Sequence, residues 1–507
     1  MKEPSDFCLA GIVALVPVVV TVGLLKGLLG TVLVDYSPYY SDEIHFWHAI
    51  LSFSRVGFDG GYYVINEAPA PALFSHFGPH GPLFPIVYGT LAHIVGWQLY
   101  SGPLLNLALV TLALCLFIAL TQPDRRCLMT MGAFLLTCWP LLLLLPTTMQ
   151  ESLHQAIGII LAGFFYQLGY GWEHVRPVSR LWLVTFALIV CASLLRFTWS
   201  ILFLPLFLLR DAGLSGRATA RAFALAIGMA GFVYLAFGYL AAPVQDSVVS
   251  QVLLARSWPE SAGVVFRNTA NNLGAVLLLR GRPLEVLLFY QALFLVLLAT
   301  THWVVDWFLS PPPRLHRRLK PVTLLLLFNL GVPLVFTLVF YNIFAWRGFR
   351  TLAPHVILSV LLLIRFSRSR GIWPIILTNM LLVFSFGEVY KEFRMPQFDQ
   401  ANRAALVSLQ TQLAEFLVYR KDANPWCNTL LVDHGNYPPE IPEIAGVPAG
   451  IGLSIVADWS QVSMPLQSRY ILLDQGRGEQ MRSTTHLELL THTRLGDLWL
   501  NVDSPCR

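Results

Sequence analysis

The sequence predicts an all-α polytopic membrane protein of about eleven spans with a small C-terminal extracytoplasmic α/β domain. Three observations lead there. Only 12% of the 507 residues are charged while 55% are hydrophobic, and the mean hydropathy is +0.61, a balance that no water-soluble domain keeps. Leucine-rich runs of roughly bilayer length recur from Phe7 to Gly387. Beyond Glu388 the composition turns ordinary, so the chain divides into a membrane part, residues 1–387, and a globular part, residues 388–507.

The first run, Phe7 to Val34, is too long for the apolar core of a signal peptide and lacks a small-residue cleavage site, so it is kept as a helix. Further runs follow at Pro103–Leu120, Leu128–Leu145, Ala156–Tyr170, Leu181–Leu195, Thr198–Leu209, Ala222–Ala242, Leu284–Phe308, Val322–Tyr341, Leu352–Ile364 and Ile372–Gly387. Pro82–Tyr100 is apolar too, but counting it as a span would put Arg125, Arg126 and every later basic loop on the side opposite the amino terminus. Treated as a dip into one leaflet, it lets the loops around Arg125, Arg180, Arg217, Arg317 and Arg368 all face the cytoplasm. The acidic stretch after the first helix, the loop around Glu151, the loop 243–283 and the C-terminal tail then lie outside. In the tail, NRAALVSLQTQLAEFLVYR has helical spacing, whereas NTLLVDHG and SRYILLDQG read as strands ended by glycine turns. Cys427 and Cys506 are the only thiols past the last span and invite a disulfide outside the cytoplasm; the other five read as small core residues. The net charge of +5 speaks of topology and anionic lipid, and no nucleic-acid partner is expected.

Tyr39 to Glu67 gathers Asp42, Glu43, Asp59, Glu67, His45, His48 and Arg55 in a chain poor in charge. From Glu43 to Phe53 the apolar residues fit an amphipathic helix lying in the interface, aromatics in lipid and polar face toward a cavity. Asp42 could simply cap this helix, with Glu43 favoured in its first turn by the dipole. His45 and His48 could hold a divalent metal with Asp42, although a histidine pair at such an interface is more often structural, and no metal ligand is assigned. A cofactor is not otherwise implied. Asp59, beside Gly60, reads as a turn residue. The following HFGPHGPLFP brackets a histidine pair with Pro and Gly ahead of an apolar dip, the pattern of a shaped site.

These features together, SDEIHFWHAI after the first helix and then HGPLFPIVYGTLAHIVGW, resemble the GT-C glycosyltransferases, which take a sugar from a polyprenyl-phosphate or polyprenyl-pyrophosphate carrier. The resemblance covers roughly Phe7 to Pro205 by pattern and the later spans in architecture alone. It implies that the acidic residue after the first helix is catalytic, here Asp42 or Glu43, with Asp42 preferred, and that Glu151 in PTTMQESLHQ is the second acidic position. His154, one helical turn along, can share its face. His80-Gly81-Pro82-Leu83 stands where the family usually reads HPPL, and His80 and His154 are candidates for substrate binding.

A carrier phosphate needs cations on the outer side, where the charge rule makes them scarce. Arg196 in LLRFTWS, Arg267 in the long loop, and Arg347 and Arg350 in YNIFAWRGFRT are the candidates for holding it. Each could instead be an interfacial anchor. The implied partners are a polyprenyl-phosphate sugar donor, membrane lipid, and a glycan, lipid or protein acceptor. A transporter or flippase would carry its ionisable groups near the midplane on repeated halves, and no repeat is visible. A surface-glycan polymerase or ligase would place key residues in the loop 243–283.

Overall fold

The computed structural model describes residues 4–60, 63–72, 77–170, 179–210, 216–243, 248–279, 283–309, 316–341, 348–366, 370–421, 424–433, 445–456, 458–474, 476–482 and 485–506. The chain opens with α1 (Pro4–Leu24), extended by a π turn at Leu25–Leu29, and continues through α2 (Ser41–Val56), β1 (Tyr63–Ile65) and α3 (Leu83–Val95). The bundle then follows: α4 (Ser101–Thr121), α5 (Arg125–Thr137), α6 (Trp139–Leu144), α7 (Glu151–Tyr170), α8 (Ser179–Leu195), α9 (Phe203–Arg210) and α10 (Gly216–Leu240). Next come α11 (Val248–Leu254), α12 (Trp258–Leu277), α13 (Pro283–Leu309), α14 (His316–Phe340), α15 (Ala353–Phe366), α16 (Trp373–Leu381) and α17 (Val383–Arg394). All eleven apolar runs of the sequence are helical, but five helices among the described residues are long and apolar enough to cross a membrane alone. A sixth forms if α16 and the helix beginning at Val383 count as one span bent by 62°. The other runs are shorter or broken. Leu128–Leu145 is interrupted at Cys138, just before Pro140, whose ring cannot continue a helix. α3 has 13 residues, about 20 Å at the helical rise, too short for a hydrocarbon core of about 30 Å.

After α17 come α18 (Gln400–Ala414), β2 (Thr429–Asp433), β3 (Gly452–Val456), β4 (Tyr470–Leu473), α19 (Arg477–Met481), β5 (Leu487–Thr493) and β6 (Gly496–Asn501). The sheet order is β1-β3-β2-β4-β6-β5, parallel from β1 to β4 and antiparallel from there. Side chains alternate between the faces, so Leu430 and Val432 point into one core and Leu431 into the other. The tail's two legible strands are β2 and β4, and its helical stretch is α18. Cys427 and Cys506 are joined, their Cα atoms 5.2 Å apart, tying the start of β2 to the chain end. Cross-links over loops of this size stabilise by on the order of 2–5 kcal/mol.

One edge strand is borrowed from the first loop: Tyr63–Ile65 pairs with Leu453–Ile455. The turn that follows holds Asn66 and Glu67 at φ 51° and 55°, the left-handed region. Glu67 is kept there because its carboxylate accepts from the backbone N–H of Gln467 at 2.9 Å and of Ser468 at 2.8 Å. Glu67 is therefore a latch between loop and sheet. Asp59 closes a short turn at Gly57–Asp59 and is exposed.

α2 departs from the expected interface helix. Its aromatics are not in lipid: Phe46 packs among the membrane helices, and Ile44 and Trp47 enter the core beneath the sheet with Leu406, Leu409 and Leu413. An apolar stripe is satisfied by lipid or by a protein core alike, and here α2 is clamped between bundle and sheet. His48 is buried in this clamp, and burial lowers its pKa from 6.5 to about 4. Its folded-state pKa lies below the unfolded one, so the neutral ring's contribution is complete above about pH 6.5 and fades as pH falls toward 4. The loss amounts to about 3 kcal/mol at the acid end. The melting temperature of the purified protein should drop between about pH 7 and pH 4.5, and the drop should be visibly smaller in His48→Gln. An equal acid sensitivity in the variant would remove His48 as its cause.

Candidate active site

The polar residues of α2 and α7 meet on the face of the bundle that carries the sheet. α2 begins at Ser41 with Tyr40 as its N-cap and no side-chain capping bond. Asp42 is thus a first-turn residue and does not cap. Its Oδ2 accepts from Arg350 Nη2 at 2.9 Å, and Arg350 Nε donates to Glu151 Oε1 at 3.0 Å. Arg196 Nη2 reaches the same Glu151 oxygen at 3.0 Å. Two carboxylates and two guanidinium groups therefore form one chain, Asp42, Arg350, Glu151, Arg196, drawn from four separate segments. Exposure is least at Glu151, whose side chain is 1% exposed, and rises to 9% at Arg196 and to 20% and 23% at Arg350 and Asp42. Arg196 Nη1 and Glu151 Oε2 are buried and meet no partner among the described residues.

Arg196 owes its position to a break. α8 ends at Leu195, Arg196 is extended at φ −154° and ψ 121°, and a 3-10 turn, Phe197–Leu202, restarts the helix. That turn is pinned by Trp199, whose Nε1 donates to His154 Nδ1 at 2.9 Å. Trp199 also lies against the His355 ring at 4.5 Å. His355 in turn holds Asn329 Oδ1 at 2.8 Å. His154 is fully buried one turn below Glu151, with its ring on Trp199, so it supports the Arg196 turn from below.

His80 comes close to all four charges. Its ring packs edge-on against Phe46 at 5.0 Å, one turn along α2 from Asp42. Burial lowers its pKa; Asp42 and Glu151 oppose the shift, while Arg350 and Arg196 add to it. The imidazole is therefore neutral at neutral pH and can exchange hydrogen bonds with sugar hydroxyls. Gly81, at φ 79°, turns the chain just after it, and a Cβ there would strike the Phe237 ring.

Glu43 sits apart, although adjacent in sequence. It is fully buried and both oxygens are occupied: Oε1 by Tyr36 Oη at 2.5 Å and Thr148 N at 2.9 Å, Oε2 by Tyr39 N at 3.1 Å and by Gln397 Nε2. Of the two alternatives for the acidic residue after the first helix, Asp42 is the one that joins the charged chain, while Glu43 is held by protein donors. Arg267 stands exposed on α12 and makes no ion pair among the described residues, and Arg347 lies outside them. Among the described residues no three His, Cys, Asp or Glu side chains converge as a metal site. Sequence reasoning missed Phe46, Trp199, His355, Tyr36, Thr148 and Gln397. The pair of threonines before Glu151 was the one local sign, as polar residues interrupting an apolar run.

No family model and no curated protein sequence matches the chain. Solved structures do resemble it. ArnT from Cupriavidus metallidurans in the apo state aligns over 97% of both chains at 12% identity with a TM-score of 0.43, and its complex with undecaprenyl phosphate at 11% and 0.41. The Archaeoglobus fulgidus oligosaccharyltransferase in the apo form aligns over 96% of this chain and 70% of its own, at 11% identity and a TM-score of 0.49. Likeness this distant assigns no residue role, and the roles below follow from this chain's own side chains.

Proposed function

We propose that this protein is an integral-membrane glycosyltransferase, moving a sugar from a polyprenyl-(pyro)phosphate carrier to a glycan, lipid or protein acceptor outside the cytoplasm. The observation that carries this reading is the pair of semi-buried guanidinium groups, Arg196 and Arg350, on either side of Glu151, with Asp42 bonded to the second. Planar guanidinium groups bind phosphate oxygens bidentately, and Arg196 Nη1 has a donor to give. An arriving phosphate competes with Asp42 for Arg350. Asp42, the more exposed of the two carboxylates, is then released as a general base.

In the transfer itself the acceptor O–H or N–H attacks the anomeric carbon from the side opposite the carrier. The bond from that carbon to the phosphate oxygen breaks, the proton passes to Asp42, and the carrier phosphate leaves with its charge held by Arg196 and Arg350, which gives inversion. Glu151 keeps the two cations at a fixed separation. His80 on the α2 side offers a neutral hydrogen-bonding edge to the sugar. The placement of the five basic loops supports an orientation with this face outside, and the 388–507 part with its borrowed strand β1 would seat the acceptor.

The test is to incubate purified protein with a polyprenyl-phosphate sugar pool and follow release of free polyprenyl phosphate by mass spectrometry. Release with acceptor present, absent in Asp42→Asn, is expected. No release from any lipid-linked sugar, with a labelled solute instead crossing proteoliposomes, would return the protein to the transporters.

A further inference from the structure

Glu43 is the best-connected carboxylate among the described residues, and the catalytic scheme does not use it. Its four donors come from three distant parts of the chain: Tyr36 and Tyr39 from the segment before α2, Thr148 from the turn before α7, and Gln397 from the stretch joining α17 to α18. The contacts reinforce one another. Tyr36 Oη, while donating to Glu43, is also within 3.0 Å of Thr148 N and 2.9 Å of Thr148 Oγ1. The carbonyl of Gln397 accepts from Ser37 N at 2.7 Å, so this residue grips the pre-α2 segment with both side chain and backbone. Thr148 has no room to shift toward α4, since a Cβ on Gly102 would already collide with its side chain. Burial, and then Glu43, push the Tyr36 pKa well up, so its hydroxyl stays protonated and remains a donor.

A buried carboxylate needs positive charge nearby as well as donors. Arg394, 4% exposed, faces the Tyr40 ring at 5.8 Å, acts electrostatically on Tyr36, and presents Nε and Nη1 to no acceptor among the described residues. Its positive charge acts on Tyr36, whose hydroxyl donates to Glu43. Both ends of the catalytic pair are a short chain distance from this knot. Asp42 precedes Glu43 directly, and Glu151 follows Thr148 by three residues.

We infer that Glu43, with Tyr36 and Gln397, is a positioning centre that fixes the separation of Asp42 from Glu151 and makes it depend on the seating of the C-terminal domain. The inference rests on the roles of Asp42 and Glu151 in the proposed transferase. Chain geometry gives it content. The first turn of α2 and the first turn of α7 lie far apart in sequence; without Glu43 the Thr148 amide and hydroxyl would still meet Tyr36 Oη, but the carboxylate that gathers Tyr36, Tyr39, Thr148 and Gln397 at one point would be gone. Gln397 lies in the stretch between the last membrane helix and the first helix of the globular part, so any tilt of that part pulls on Glu43. An acceptor held by the sheet would thus be in register with the base. Displacements of about 1 Å in such a constellation can cost on the order of a hundredfold in rate.

The experiment compares wild type with Glu43→Gln, Gln397→Ala and Tyr36→Phe. Hydrogen exchange is read without substrate on peptides covering 36–43 and 145–151. Both peptides should exchange faster in Glu43→Gln and Gln397→Ala, by more than the rest of the chain does. Binding of undecaprenyl phosphate should be unchanged, and kcat for transfer should fall about tenfold to hundredfold at constant donor KM. Unchanged exchange in both peptides would overturn the inference, as would faster exchange with wild-type kcat. A uniform loss of melting temperature in Glu43→Gln with no selective effect in Gln397→Ala or Tyr36→Phe would reduce Glu43 to a packing residue and also overturn it. Should wild type transfer no sugar, the proposed function fails on that measurement, whereas substrate-free exchange still decides whether Glu43 joins the two segments.

Discussion

Asp42→Asn is expected to abolish sugar transfer, slowing it by on the order of a hundredfold to ten-thousandfold, with expression and melting temperature unchanged. The two possible roles of Asp42 separate cleanly here, because Asn caps helices about as well as Asp but cannot take a proton. The N-cap of α2 is Tyr40 and makes no side-chain capping bond, so the helix start does not depend on the carboxylate. Arg350 keeps Glu151 as a partner when Asp42 is neutralised, which leaves no cation stranded. Asn can still accept one bond from Arg350 Nη2. The lost quantity is therefore the base alone. The rate of transfer by purified Asp42→Asn at saturating donor checks this, and retention of most activity would exclude general-base catalysis by Asp42.

The second large effect is expected at the cations. Arg350→Ala removes the guanidinium that bonds both carboxylates, leaving Asp42 and Glu151 to repel each other, and in the proposed reaction it also deletes a phosphate ligand. Truncating one member of a hydrogen-bonded charge pair held away from water costs about 3–5 kcal/mol, so donor affinity should fall by on the order of a hundredfold to several thousandfold. Arg196→Ala should weaken donor binding by somewhat less, since Glu151 retains Arg350. Lysine at either place should recover only part of the loss, because a point charge cannot bridge two acceptors as the planar fork does. Donor KM across the four variants, read beside direct binding of undecaprenyl phosphate, is the measurement. Equal affinity in Arg350→Lys and wild type would mean that the fork geometry is not used.

How far the sequence reveals this arrangement depends on the length scale of each signal. Spans are legible because twenty consecutive residues must all suit hydrocarbon, and every apolar run proves helical. Their interruptions are less so: Pro140 announces the break between α5 and α6, but nothing near Arg196 or Leu382 forces the chain to turn there. Asp42, Glu151 and Arg196 are conspicuous for the same reason as the spans, since ionisable groups in apolar surroundings need a purpose. Gln397 gives no such sign. It is an ordinary polar residue that matters because folding brings it 354 positions back to Glu43. The strand Tyr63–Ile65 is equally silent, three residues whose pairing is decided by the edge of β3. The setting of α2 shows the limit of periodicity, which reveals that a face is apolar but not whether lipid or a protein core covers it.

The most direct test of the central claim is the structure of the protein with undecaprenyl phosphate bound. Phosphate density within hydrogen-bonding distance of both Arg196 and Arg350, with Asp42 released from Arg350 and open to the sugar side, is the predicted result. Phosphate held elsewhere while the Asp42–Arg350 pair stays closed at its present 2.9 Å would contradict the account.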